Sequence, residues 1–222
     1  MSKSDGKITG ELIVKFRSDL EFNQHYRTVQ NAVTKIALDD VALNRKVITE
    51  TDHSFSHLLD DWPVTNQKST GRCWMFAGLN LFRPRVMKTM ELKDFEFSQN
   101  YLLFWDKIER SNYFLQAVIE TADRDVDDRT VAYLLDRPIV DGGQWTMFVN
   151  LEKKYGLVPK VFMPESESSS NTRRMNFILI SKLREAAKTI RDMRAEGKPM
   201  PAVLEYKNEM GVNFSGWVNN SL

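Results

Sequence analysis

The sequence is poor in cysteine and histidine. Among its 222 residues there is one cysteine, Cys73, and there are three histidines. A single thiol cannot form an intramolecular disulfide bond, and it cannot supply the several thiolates of a structural zinc site. Two interpretations of Cys73 therefore remain, either a buried and inert thiol or a reactive one.

An excess of one charge and long apolar runs are also missing. The 31 lysines and arginines nearly balance the 30 aspartates and glutamates, which gives a formal net charge of +1. Such a balance creates no overall field that would attract nucleic acid or an anionic membrane. No stretch approaches the ~20 consecutive apolar residues of a membrane span, and residues 1–7 lack the apolar core of a secretory signal. We therefore expect a cytoplasmic protein without nucleic-acid or membrane partners.

The remaining composition, 42% hydrophobic and 27% charged, is typical of a globular chain. Apolar residues at helical spacing predict helices over residues 11–22, 73–82, 101–119, 131–135, 147–155 and 175–196. Residues 202–222 have weak periodicity, so we expect no regular element there. The resulting organisation is an N-terminal helical segment at 1–52, a helical domain at 53–200 and a divergent tail at 201–222.

Several local patterns add detail to this organisation. Residues 73–82 are apolar on nearly every side, which places this helix in the middle of a domain, and Pro84 limits how far it can run undistorted. The acidic cluster at 123–128 lacks the glycine and closing glutamate of a calcium loop, which favours a solvated turn that starts a helix. Residues 141–144 predict a flexible turn.

Cys73 begins the apolar helix directly after a loop that contains glycine. The free N–H groups and the positive end of the helix dipole at such a position favour the thiolate, which is the nucleophilic form. Gln67 lies six residues earlier on the same loop. Its amide and the N–H of Cys73 could donate hydrogen bonds to the oxyanion that forms when a thiolate attacks a carbonyl. This pattern favours the reactive interpretation over the inert one.

Three separated segments resemble one family: residues 66–74 (NQKSTGRCW), 95–101 (FEFSQNY) and 141–145 (DGGQW). They are similar to the bleomycin hydrolase and aminopeptidase C branch of the papain-like cysteine proteases, with similarity over about residues 53–198. The resemblance implies a papain-like α+β fold and a cytoplasmic cysteine aminopeptidase that forms a homohexamer. It also implies peptide substrates, bleomycin-like amides among them, and no cofactor or metal.

The same resemblance implies roles for individual residues. Cys73 would be the nucleophile and Gln67 the oxyanion-hole donor. Gly142 and Gly143 would lie along the substrate cleft, where the absence of side chains lets a peptide backbone approach closely. Thr146 departs from the family, which usually carries an acidic residue at this position.

A larger departure concerns the catalytic base. A papain-like thiolate needs a histidine oriented by an asparagine, and the family supplies both downstream of the cysteine. All three histidines of this chain precede Cys73. Family members are about twice as long, so the chain resembles the N-terminal, mostly helical half, and the β-rich half with the histidine and asparagine is expected to be missing. The alternative function is therefore an inactive truncated isoform or fragment with a structural or interaction role, and a redox-sensing thiol is a third option.

The spacing of His53 and His57 also suggests other roles. Two histidines four residues apart share a helix face, as in a zinc site, but the glutamate of a His-Glu-x-x-His motif and a third ligand are absent. A surrogate base is a further possibility. A structural role is favoured for this pair, and His25 among polar residues is interpreted as a surface histidine.

Overall fold

The computed structural model describes residues 7–56 and 63–222, so His57 lies outside the described residues. Internal contacts divide the chain into two units, Met1–Leu58 and Leu59–Leu222. The first unit contains α1 (Gly10–Phe22), α2 (Gln24–Val33), α3 (Leu38–Ala42) and α4 (Arg45–Glu50). The helix predicted over 11–22 is confirmed, and the side chain of Thr9 caps it by accepting a hydrogen bond from the N–H of Leu12. None of residues 7–56 is buried, and the side chains of Asn23 and Asn44 cap α2 and α4.

The second unit is built from helices in its described residues. They are α5 (Cys73–Thr89), α6 (Gln99–Glu120), α7 (Arg129–Asp136), α8 (Trp145–Tyr155), α9 (Glu167–Ser170), α10 (Arg173–Ala195) and α11 (Met200–Ser221). Within residues 63–222 the only β pairing is two isolated bridges, Ser69 with Asn171 and Phe97 with Pro159. This architecture is consistent with the expected helical half. No helix in the described parts of the chain is long and apolar enough to cross a membrane.

Helix α6 is the centre of the second unit. Its N-terminus is capped by Ser98, whose hydroxyl accepts a hydrogen bond from the N–H of Tyr101 at 3.0 Å. The helix contacts α5, α7, α8, α10 and α11. Its buried apolar side chains form one core with those of α10 and α11, and they include Leu102, Leu103, Phe114, Leu115 and Val118. On α10, Ala186 and Ala187 are fully buried, and their small side chains allow neighbouring helices to approach closely.

The expectation that residues 202–222 form no regular element is wrong. They belong to α11, a 22-residue helix that begins after Pro199. Val203, Phe214 and Val218 are fully buried in the common core. The sequence does not reveal this helix, because its half-buried positions include Lys207 and several small residues. These residues weaken the apolar periodicity.

The expectations for the cysteine helix also need correction. Helix α5 continues through Pro84 to Thr89, because the missing proline N–H leaves only the carbonyl of Asn80 without its helical donor, and Asn80 is exposed to water. The helix is not buried on every side. Cys73, Ala77 and Leu81, spaced one turn apart, are exposed, and Leu81 is 61% exposed.

The burial of α11 leads to a stability prediction. We expect Val218→Ala to lower the free energy of unfolding by about 2 kcal/mol, because it removes buried methyl groups and leaves a cavity. The matched control is Val212→Ala on the same helix, since Val212 is 74% exposed and should change stability by less than about 0.5 kcal/mol. Urea unfolding monitored by circular dichroism measures both values. Equal effects of the two substitutions would contradict the placement of α11 in the core.

Candidate active site

Cys73 is the first residue of α5, as the sequence predicted, and its side chain is exposed. The carbonyl of Arg72 accepts hydrogen bonds from the N–H groups of Met75 and Phe76, at 2.9 and 3.1 Å. These two bonds start the helix immediately before the thiol. Cys73 therefore lies at the positive end of the helix dipole, where the unpaired N–H groups of the first turn can stabilise an oxyanion that develops beside it.

Gln67 lies on the loop before α5, and its side chain is held in place. Its Nε2 donates a hydrogen bond to the carbonyl of Thr70 at 2.8 Å, while the Thr70 hydroxyl donates to the carbonyl of Gln67 at 2.7 Å. These reciprocal bonds close a small ring. An amide NH₂ carries two hydrogens, so this bond leaves Gln67 a second donor for a ligand.

The loop conformation around Gln67 is restrained further. Lys68 has a φ of 54°, in the left-handed region that residues other than glycine seldom adopt. Its N–H donates to Oδ1 of Asn66 at 2.8 Å, and the N–H of Ser69 donates to the carbonyl of Ser170 at 3.0 Å. The second bond ties the loop to α9.

Trp74 connects the start of α5 to the glycine-containing segment. Its indole Nε1 donates to the carbonyl of Asp141 at 2.8 Å. A Cβ atom at Gly143 would lie 2.5 Å from the Trp74 ring, whereas one at Gly142 would have no atom within 4 Å. Residue 143 must therefore be glycine to leave room for the Trp74 ring, whereas Gly142 lies beside open space.

The segment 141–144 is anchored, which the prediction of a flexible turn missed. The carbonyl of Gly142 accepts a hydrogen bond from Arg110 at 2.6 Å. Arg110 also contacts both carboxylate oxygens of the buried Asp106, at 2.8 and 2.9 Å. The partners lie on α6, more than 30 residues away, so no local signal in the sequence could reveal them.

A buried ion pair joins α6 to the same segment. The fully buried ammonium of Lys107 lies 2.6 Å from Oδ1 of Asp141. Two side chains from the start of α10 also donate to this carboxylate, Asn176 at 2.7 Å and Thr172. Asp141 thus links α6, α10 and, through its carbonyl, Trp74 on α5.

The environment of Asp141 shifts its titration. Burial alone would raise the pKa of this carboxyl, but the charge and hydrogen bond of Lys107, together with the bonds from Thr172 and Asn176, outweigh burial and lower the pKa from 3.8 to about 2. Asp106 behaves oppositely, because its desolvation exceeds the attraction of Arg110 and raises the pKa. Asp141 therefore remains ionised across the neutral range.

No histidine lies in the unit that carries Cys73. His25 and His53 belong to the first unit, and both are exposed. Residues 63–222 contain no histidine at all. Across the two described ranges, no group of three or more histidine, cysteine, aspartate or glutamate side chains is arranged to hold a metal ion.

Comparison with known proteins identifies the family of this chain. Residues 7–214 match the profile of the Peptidase C1-like family. The chain belongs to the Peptidase C1-like family. Aminopeptidase C of Streptococcus thermophilus is 46% identical over 202 residues, which cover 91% of this chain and 45% of the relative. Bleomycin hydrolase of Homo sapiens is 45% identical over 190 residues, which cover 84% of this chain and 41% of the relative.

A solved structure supports the fold. The crystal structure of PepW from Lactobacillus rhamnosis superposes with a TM-score of 0.86 at 40% sequence identity. The superposition covers 99% of this chain and 49% of the PepW chain. The family resemblance inferred from three short segments is confirmed, and it extends beyond residues 53–198 into both α1 and α11. The chain spans a little under half the length of the curated relatives it matches, as expected for similarity to one half of the family.

The two glycines beside Trp74 should respond differently to substitution. We expect Gly143→Ala to displace the Trp74 indole, lower stability by about 1–3 kcal/mol and alter tryptophan fluorescence, because the added Cβ overlaps the ring. Gly142→Ala should change stability by less than about 0.5 kcal/mol. Urea unfolding and fluorescence spectra measure both effects, and a destabilising Gly142→Ala would contradict the open surroundings of that residue.

The lowered pKa of Asp141 predicts a dependence of stability on pH. Its folded-state pKa lies below the unfolded value, so its contribution is complete above about pH 5 and is lost as the pH falls toward about 2. The contribution is roughly 1–2 kcal/mol after allowance for solvent screening.

Urea unfolding of wild type and Asp141→Asn at about pH 6 and about pH 3 measures this contribution. The stability gap between the two proteins should narrow at the lower pH, because protonation removes the charge that the variant already lacks. The raised pKa of Asp106 makes stability depend on pH in the opposite direction. Both proteins contain Asp106, so the measurement compares the stability gap between them rather than either stability by itself. A constant gap would contradict the role of the Asp141 charge.

Proposed function

We propose that this chain is the nucleophile-bearing part of a cysteine aminopeptidase that acts on peptides. The observation that carries the proposal is the exposed Cys73 at the first position of α5, preceded by the tethered amide donor Gln67. The relatives named aminopeptidase C and bleomycin hydrolase support the same chemistry.

The proposed reaction begins when the Cys73 thiolate attacks the carbonyl carbon of a substrate amide. The carbonyl π electrons move to oxygen, and the free N–H of Gln67 and the N–H of Cys73 donate hydrogen bonds to this oxyanion. Collapse of the intermediate breaks the C–N bond, and the leaving amine takes up a proton. The resulting thioester is hydrolysed by water, which releases the acyl product and restores the thiol.

Two steps of this reaction require a proton carrier. The thiol must lose a proton before attack and the amine must gain one, and a histidine oriented by an asparagine performs both tasks in papain-like proteases. The unit that contains Cys73 has no histidine. We propose that both groups belong to the part of the relatives' length that this chain does not span.

The exposed face of α5 supports this proposal. Ala77, Leu81 and Phe82 continue from Cys73 along the helix and remain exposed. An apolar row of this kind is typical of a surface that another domain covers. We infer that a histidine-bearing half packs along this row, and that a peptide backbone passes over Gly142, beside which a Cβ would meet open space.

The remaining properties are proposed from the family resemblance. The substrates would be peptides with free N-termini and bleomycin-like amides, the assembly would be a homohexamer and the location would be the cytoplasm. No cofactor or metal takes part in the proposed steps.

A second candidate function is an inactive subunit that binds other chains. It is favoured by the position of all three histidines before Cys73 and by the exposed apolar row on α5. Such a subunit would retain the thiol environment without turnover.

Single-turnover acylation tests the proposed nucleophile. With p-nitrophenyl acetate, we expect one equivalent of p-nitrophenolate to be released per chain, and none from Cys73→Ala. Gln67→Ala should slow the release about 100-fold, since it removes an oxyanion donor. The matched control is Gln116→Ala, which alters a half-buried glutamine on α6 and should leave the rate unchanged. Equal release from Cys73→Ala would overturn the proposal.

An aminopeptidase assay with a fluorogenic amino-acid amide tests the inactive subunit. Turnover that disappears in Cys73→Ala would exclude it. Acylation without amide turnover would agree with either candidate, because the inactive subunit also retains the thiol environment.

A further inference from the structure

We propose that the buried ion pair between Arg72 and Glu165 positions the oxyanion donor of Gln67 relative to the Cys73 thiolate. This inference rests on the proposed function. Arg72 and Glu165 would be positioning residues that act through Thr70 and Gln67, and neither would touch the substrate.

Arg72 is fully buried although it immediately precedes the exposed nucleophile. Its two terminal nitrogens, Nη1 and Nη2, donate to the two carboxylate oxygens of Glu165 at 2.9 and 2.8 Å. Its guanidinium carbon lies 5.1 Å from the centre of the Phe76 ring. The side chain is therefore fixed by a bidentate pair and by a cation–π contact with Phe76 in the first turn of α5.

The third contact of the guanidinium points to the loop that carries the oxyanion donor. Nε of Arg72 donates to the hydroxyl oxygen of Thr70 at 3.1 Å. That hydroxyl donates in turn to the carbonyl of Gln67 at 2.7 Å, and the carbonyl of Thr70 accepts from the Gln67 side chain at 2.8 Å. Thr70 thus fixes the main chain and the amide of Gln67, and Arg72 fixes Thr70.

Glu165 is itself held at the other end of this chain of contacts. Its Oε2 accepts a hydrogen bond from the hydroxyl of Ser169 at 2.7 Å. Ser169 is fully buried and belongs to the capping box formed with Ser166 at the start of α9. The carboxylate is therefore held in place. The side chains of Glu165, Arg72 and Thr70 connect α9 to Gln67.

The chemistry of arginine explains why this role is specific. A guanidinium presents N–H groups in one plane and in fixed directions, so one side chain binds a carboxylate in bidentate form and a hydroxyl through Nε at the same time. A lysine keeps the positive charge but has a single nitrogen. Arg72→Lys should therefore preserve the buried ion pair and lose the bond to Thr70.

Two reactions of Cys73 in the full 222-residue chain test the proposal. In acylation by p-nitrophenyl acetate, an S–C bond forms, an oxyanion develops, and the C–O bond breaks as p-nitrophenolate carries away the negative charge. In alkylation by iodoacetamide, the thiolate displaces iodide and no oxyanion forms. The ratio of the two rate constants therefore reports on the oxyanion donor, whereas accessibility and ionisation of the thiol affect both reactions.

We expect Arg72→Lys, Glu165→Gln and Thr70→Val each to lower the acylation rate about 10- to 100-fold, because small misplacements of a catalytic group have effects of this size. The alkylation rate should stay within about 2-fold of wild type, since alkylation needs only an accessible thiolate. By contrast, Thr70→Ser should be acylated at the wild-type rate, since serine keeps the hydroxyl. Combined with Gln67→Ala, Arg72→Lys should cause no further loss, because both changes remove the same interaction.

Glu96→Gln is the matched control for Glu165→Gln. The Glu96 side chain is 24% exposed and pairs with Lys160, while that of Glu165 is 21% exposed. Within the described residues, the hydrogen bonds and ion pair of Glu96 go to Gln99 and Lys160 rather than to the loop of Gln67. This control should leave both rates unchanged. Circular dichroism and the thermal midpoint identify any variant that does not fold, and Thr70→Val then provides the test without altering a buried charge.

The outcomes separate this inference from the proposed function. If Gln67→Ala slows acylation but the Arg72, Glu165 and Thr70 variants do not, the positioning role is overturned and the proposed function stands. If the variants slow acylation and alkylation equally, or if Arg72→Lys adds a further loss to Gln67→Ala, the pair is merely structural. If Gln67→Ala itself has no effect, the oxyanion assignment fails, and this inference fails with it.

Discussion

The ion pair between Lys107 and Asp141 is the contact on which the surroundings of Cys73 depend. An ammonium that is fully buried requires a carboxylate partner, because an unpaired charge in a protein interior costs several kcal/mol. Lys107 lies on the central helix α6, and Asp141 also binds the start of α10 and the indole of Trp74. The requirement to pair one charge therefore fixes three helices and the segment that contains Gly142 relative to one another.

Cys73 is exposed, but the residues on both sides of it are buried and anchored to distant segments. Arg72 is held by Glu165, and Trp74 is held by the carbonyl of Asp141. The start of α5 is thus fixed from two directions while the sulfur remains accessible. This arrangement suits the role proposed for Cys73, because a reacting group on a rigid support keeps its position relative to its partners.

Local signals allowed much of the fold to be predicted. Ser98 and Asp128 cap α6 and α7, and Gly156 and Gly197 follow the ends of α8 and α10. The predictions failed for features that depend on packing between residues far apart in the sequence. Helix α11 was missed because polar residues share its half-buried face, and the exposed row of α5 was missed because its apolar composition resembles that of a buried helix.

The sequence by itself determined the family and pointed to Cys73 as the proposed nucleophile. A cysteine at the start of a helix, the preceding Gln67 and the order of the histidines are properties of neighbouring residues, and they can be identified without a fold. Only the tertiary structure decided how these residues are held. Glu165 is 93 positions from Arg72, and Asp141 is 34 positions from Lys107. Such pairs form because the packing of the helices brings distant charged residues together. Patterns among neighbouring residues do not predict that packing.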